Sequence, residues 1–241
     1  MTLSQQVTQI IIKEFRQDKW MVLWTALFML YAGASFSFML KTAFQQPAPT
    51  PFYDVWIVIF TPMLGFYFSR RAFKYWNEDS YTQMLYYYKS LPIPLEAVVL
   101  SRGILGLLAF IFNGVIFFGT VYLLPGDGVK DYVSLSAYIL FSITWIGFGL
   151  MVYGMYIYLE FMKSGKRYFW MTVAVVGAFV LVLIGIQTAG LRFSLIHRIM
   201  ASSEEYGLMT PWLYITVLTG LVSYGCSLRL TCRRIKKRDL M

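Results

Sequence analysis

The fold class this sequence predicts is an all-α, polytopic membrane protein. It has six transmembrane helices, an N-terminal helix in the membrane interface, and a cytoplasmic helix between spans two and three. Three observations predict it. Of 241 residues, 58% are hydrophobic and only 14% are charged, against about 25% charged in soluble domains, and the mean hydropathy is +0.59. The apolar residues gather in six stretches, each near the ~20 residues that cross a hydrocarbon core as a helix. The lysines and arginines gather between those stretches, on alternate sides, as topology signals do. Within lipid every backbone amide needs an internal partner, so the Val-, Ile- and Phe-rich runs read as helix and not as strand.

Residues 3–19 come first. Leu3, Val7, Ile10, Ile11 and Phe15 recur at helical spacing, while Gln6, Gln9, Lys13, Arg16 and Gln17 cover much of the rest. Such an amphipathic helix with a basic edge suits the interface before the first span; Ile12 departs from the pattern. Spans follow at 20–40, 52–68, 103–124, 132–159, 169–191 and 211–228, then a basic tail at 229–241. Tyr31-Ala32-Gly33-Ala34-Ser35 has the small residues of a signal-cleavage site, but the long leader of mixed charge before it points to a retained first span.

With the N-terminus inside, the inner face receives Lys13, Arg16, Lys19, Arg70, Arg71, Lys74, Lys89, Arg102, Lys163, Lys166, Arg167 and the basic tail. The outer face receives only Lys41, Lys130, Arg192 and Arg198. Six spans return the C-terminus to the cytoplasm, so a plasma-membrane protein with both termini inside is expected.

The Pro-rich 45–51 segment reads as a stiff outer connector, and 125–128 as a turn. In 191–210, Leu191, Leu195, Ile199 and Met200 form one face of a short helix, expected to be interfacial or re-entrant; a plain loop is the alternative. Pro62, after Thr61, should kink span two by removing an amide donor. Asp54 is expected to serve the start of its own helix. Gly147, Gly149 and Gly154 in span four, and Ala174 and Ala178 in span five, permit close helix approach, either within the chain or between subunits. The two halves show no internal repeat, which weakens a repeat-built secondary transporter.

Catalytic chemistry is sparse. There is no Gly-x-x-x-x-Gly-Lys-Ser/Thr phosphate loop. One histidine, His197, and two distant cysteines, Cys226 and Cys232, make neither a zinc site nor a disulfide framework. No metal or cofactor is expected on this chain. The formal charge of +9 lies at the flanks of spans, so no nucleic-acid partner is expected. No Asp, Glu, Lys or Arg sits at the middle of a span, where ion-coupled carriers keep such a group. Asn113 and Gln187 lie within spans, with two roles open: hydrogen bonding between helices, or contact with a polar substrate along its path.

The longest polar stretch, 69–102, falls inside. Arg70, Arg71 and Lys74 anchor the end of span two. Asn77-Glu78-Asp79-Ser80 breaks the helix and starts another, with Asp79 or Ser80 near the new start. Tyr81, Met84, Leu85 and Tyr88 then share an apolar, aromatic face. Leu91-Pro92-Ile93-Pro94 stops that helix, and Glu96 onward restarts toward span three. Tyr, Met and mixed charge on an exposed helix favour protein–protein contact over a merely solvated connector.

Taken together, residues 3–19, residues 77–90 with Leu91-Pro92 leading to Leu100-Ser101-Arg102, and residues 191–210 resemble the bacterial ABC-2 type transporter permeases, over nearly the whole chain. The resemblance implies a cytoplasmic coupling helix within 69–102 and a re-entrant outer element between spans five and six. It implies two permease chains, identical or sister, and separate ATPase subunits on the inner face that carry ATP and Mg²⁺. By that analogy Glu78, Asp79, Tyr81, Met84, Leu85 and Tyr88 contact the ATPase, with Glu160, Lys163, Lys166 and Arg167 as a second contact. Charged residues at Tyr81 and Leu85 are then expected to uncouple transport without unfolding the chain. Two other classes stay open: an ATP-independent carrier or channel, and a membrane sensor subunit. The basic tail suits binding to anionic membrane lipid, or docking.

Overall fold

The computed structural model describes residues 2–45, 51–124, 130, 133–188 and 194–238. About 90% of it is helical, with no strand among the described residues. The helices are α1 (Leu3–Gln17), α2 (Lys19–Gln45), α3 (Pro51–Phe60), α4 (Arg70–Glu78), α5 (Ser80–Lys89), α6 (Leu95–Leu123), α7 (Leu135–Met162), α8 (Gly165–Thr188), α9 (Leu195–Tyr206) and α10 (Pro211–Ile235). Five stretches are long and apolar enough to cross a membrane: Lys19–Thr42, Leu95–Leu123, Leu135–Met162, Gly165–Ile186 and Pro211–Ile235.

The stretch 52–68, expected to be kinked at Pro62, is broken there outright. Proline at 62 ends α3, and Thr61–Gly65 tightens into a 3₁₀ turn. Phe66 and Ser69 are extended, and the chain turns by 104° between Phe52–Gly65 and α4. Ten α-helical residues and five 3₁₀ residues reach about 25 Å, close to the ~30 Å hydrocarbon core. The 3₁₀ turn lengthens a segment that would be too short as pure α-helix.

Packing fixes the helix directions. Ser37 on α2 bonds the Val121 carbonyl near the end of α6, so these two run parallel. Tyr138 on α7 bonds the Phe118 carbonyl, while Arg102 meets Glu160, so α6 and α7 are antiparallel. α7 and α10 run parallel and touch backbone to backbone. A Cβ on Gly147 would lie 2.8 Å from backbone atoms of residues 216 and 217, and one on Gly154 would lie 3.0 Å from Tyr224 Cα. The glycines of span four therefore serve packing within the chain. Ala174 and Ala178 on α8 are exposed.

Element ends differ from the sequence expectation where basic residues continue a helix. α10 runs to Ile235, past the expected 228, because residues 229–235 contain no glycine or proline to break it. α1 stops at Gln17, and Asp18 separates it from α2. Within α1 the buried side chains are Val7 and Ile10; Leu3 and Phe15 remain exposed. The outer helix expected in 191–210 forms as α9, with Ile196, Ile199 and Met200 buried. The expected connector (46–50) and turn (125–128), together with Leu191, lie outside the described residues.

Asp54 stands in the first turn of its own helix, α3, as expected, and its carboxylate also caps α9. Oδ2 accepts from the Leu195 amide at 2.8 Å, and Oδ1 from the Ile196 amide at 3.0 Å and the Ser194 hydroxyl at 3.1 Å. A buried carboxylate is well placed at a helix N-terminus, where amides lack intrahelical partners.

Candidate functional site

Acids and bases that look scattered along the sequence converge at the end of the bundle where α1 and α4 lie. Glu14 on α1 accepts from Arg71 of α4 at 2.7 Å and from the Tyr67 hydroxyl at 2.8 Å. Arg102 on α6 grips Glu160 on α7 through Nε and one terminal nitrogen, at 3.1–3.2 Å. Its guanidinium also lies over the Tyr67 ring, 5.4 Å from the centroid. These groups line a cavity of about 20 Å³, the size of one water. Five segments thus meet in one buried ionic cluster: α1, the 66–69 exit of span two, α4, α6 and α7.

The same region satisfies the broken backbone of span two. Asn113, fully buried on α6, donates both amide hydrogens, to the Leu64 and Phe66 carbonyls, each at 2.8 Å. Thr25 on α2 accepts from the Phe68 amide at 2.8 Å. Irregular backbone at membrane depth is tolerated only where protein supplies such partners. Of the two roles open for Asn113, hydrogen bonding between elements is therefore present. The Gln187 side chain lies outside the described residues.

α4 and α5 form an elbow. Asp79 takes the left-handed conformation, φ 46°, so the break falls where Asn77–Ser80 predicts it. Its Oδ1 accepts from the Gly165 amide at 2.7 Å, which caps α8 from the elbow. Gly165 has no space for a Cβ, because the Tyr75 carbonyl presses against it. Tyr75, Tyr81 and Tyr168 pack ring to ring at 5.5–5.8 Å. Burial pushes the Tyr81 phenol well above its ordinary range.

The predicted contact face is therefore turned the other way. Tyr81, Met84, Leu85 and Tyr88 are 1–9% exposed: they fasten α5 to the bundle. An apolar face long enough to seat one helix was available to the chain's own spans. Charging Tyr81 or Leu85 would bury an unpaired charge and unfold the elbow, contrary to the expectation above. Of the six expected residues Glu78 is exposed and Asp79 is half-buried, alongside exposed Gln83, Tyr86, Tyr87 and Lys89. In the second expected contact, Glu160 is buried against Arg102, Lys163 is half-buried, and Lys166 and Arg167 are exposed.

Further ties secure the elbow. Lys13 of α1 lies over the Tyr87 ring, 4.6 Å from the centroid. Arg238 in the tail donates to the Thr82 hydroxyl at 3.1 Å and to the Phe161 carbonyl. Lys236 pairs with Glu96 at 2.6 Å, and Arg234 donates to the Tyr158 hydroxyl at 2.7 Å. Part of the basic tail is thus spent on intramolecular contacts.

Sequence reasoning passed over Glu14, Tyr67, Thr25 and Gly165. Glu14 carried one signal, as an acid in the middle of an otherwise basic and amide-rich helix. Among the described residues, no group of three or more His, Cys, Asp or Glu side chains is arranged to hold a metal. No protein family, no curated protein and no solved structure matches this chain.

Proposed function

We propose that this chain is the permease subunit of an ATP-driven membrane transporter, an exporter, with ATP and Mg²⁺ held by separate ATPase subunits on its inner face. Two permease chains, identical or sister, would complete the assembly in the plasma membrane. In this reading α3 with its 3₁₀ turn and extended exit is the second of six spans, and both termini are cytoplasmic. The alternating helix directions and the inward bias of Lys and Arg support that topology.

One observation carries the reading. The α4–α5 elbow is exposed on one side and wired on the other into α1, α6, α7 and α8, through Glu14–Arg71, Asp79–Gly165 and the tyrosine cluster. An external part that engages the exposed side moves several spans together. The sequence holds no phosphate loop, so the energy would come from the part that docks. The docking residues are then Glu78, Gln83, Tyr86 and Lys89, with Lys166 and Arg167 beside them.

The test is purification of the tagged chain from its native host in mild detergent, with the recovered partners assayed for ATP hydrolysis. A stoichiometric ATPase is expected, and it should be lost when Tyr86 and Lys89 are both changed to Glu while the helix content is unchanged. A chain recovered alone, under conditions that preserve a known ABC complex, refutes the reading.

A further inference from the structure

α4 is covered on one side only. Arg71 and Tyr75 face the bundle, the first bonded to Glu14 and the second packed on Tyr81 and Tyr168. Lys74 and Glu78, one turn apart, pair with each other at 2.9 Å along an exposed edge. The remaining face is aromatic and open: Phe73 is 64% exposed, and Trp76 is exposed beside it. Exposed apolar surface of this kind marks contact with a protein or with a membrane.

Three observations favour the membrane. First, the rings of α4 continue into the sides of two spans. Phe73 packs on Phe68, 5.5 Å between centroids, and Phe68 packs on Phe28 of α2 at 5.3 Å. Trp76 packs on Phe169 at 4.7 Å and on Trp170 at 6.5 Å, both near the start of α8. Trp170 is 63% exposed, on a spanning stretch that is almost wholly open to its surroundings. A tryptophan so near the end of a span belongs at the membrane–water interface, and Trp76 lies beside it. Second, α4 turns 104° from Phe52–Gly65, so a span that crosses the bilayer there leaves α4 running along its surface. Third, α4 divides its residues as interfacial helices do, with Phe and Trp on one side and charged residues on another.

We propose that α4 lies in the surface of a phospholipid leaflet, with Phe73 and Trp76 among the upper acyl chains and Arg70, exposed one turn before Phe73, at the headgroup phosphates. The first arm of the elbow is then held at the membrane surface and does not project into water. The inference rests on the spans crossing a membrane and is independent of any ATPase.

The experiment uses the full chain in phosphatidylcholine–phosphatidylglycerol nanodiscs, with Cys226 and Cys232 changed to Ser and one nitroxide label placed at Phe73→Cys, Trp76→Cys or Glu78→Cys. Collision of the label with oxygen, which concentrates in lipid, is compared with collision with a water-soluble nickel chelate. The oxygen-to-nickel ratio should be severalfold higher at 73 and 76 than at 78. Nickel access at 73 and 76 equal to that at 78 places α4 in water and overturns the proposal. Access by neither reagent at 73 and 76 means that a protein chain covers the face, and overturns it too. The unmodified chain decides the matter if the labelled variants fail to fold. A diazirine on the phospholipid acyl chains should mark residues 73–76 along with α8, and marking of α8 without 73–76 overturns the proposal.

Discussion

α7 and α8 are consecutive helices of similar length, and α8 is the more apolar of the two. Yet most of α7 is buried, and almost none of α8 is. In lipid, apolar surface is not driven inward, because lipid tails accept it as readily as protein does. Burial instead follows small residues and polar groups that gain from a partner. α7 has Gly147 and Gly154 against α10, and Glu160 against Arg102. Gly177, in the middle of α8, faces open space. At its first turn α8 is held by Asp79 on the Gly165 amide and by Trp76 packed on Phe169, 4.7 Å between ring centroids, and farther along by Phe179 on Phe148.

The largest test of this contrast is Glu160→Gln. It leaves Arg102 buried without its counter-charge, and a loss of about 3–5 kcal/mol is expected, read as the shift of a denaturant titration in detergent. The double variant Arg102→Met/Glu160→Leu should recover most of that loss. A single variant as stable as the parent would show that water reaches the pair.

Next comes Gly220→Val on α10, where a Cβ would run into the Gly147 carbonyl. Overpacking of this kind destabilises by about 1–3 kcal/mol, and the melting temperature should fall accordingly. A smaller effect is expected at the carboxylate that caps the first turn of α8. Asp79→Ala removes the cap on Gly165, with a loss of about 0.5–2 kcal/mol and faster amide exchange confined to the first turn of α8. Gly177→Val on α8 closes the series, with a change within about 0.5 kcal/mol. A large loss there would mean that α8 is covered by another chain in the membrane.

The long helices were legible because membrane thickness imposes a length and an apolar composition that sequence displays directly. The break at Asn77–Ser80 and the effect of Pro62 were legible for the same kind of reason, since each is local backbone chemistry. Pairings between distant residues were not. Arg102 and Glu160 each read as a charge flanking a span, and nothing within a few residues of either names the other. Asp54 caps a helix that begins 141 positions later, so its own neighbours point only to its own helix. The face of α5 was found correctly as a set of residues but given the wrong direction, because periodicity marks which side chains share a face and is silent on what covers it.

The extended exit at 66–69 has a mechanical consequence. A helix is a strut and carries thrust along its axis. The four non-helical residues 66–69, extended at Phe66 and Ser69, are a strap, about 13 Å at full reach, which goes taut under tension and buckles under compression. When the elbow moves away from the bundle, span two is drawn with it through the strap. When the elbow moves toward the bundle, the strap goes slack. The load then passes around it, through Glu14–Arg71 into α1 and through Asp79 into α8. Were the elbow driven in the proposed transport cycle, its inward and outward strokes would therefore act on different helices.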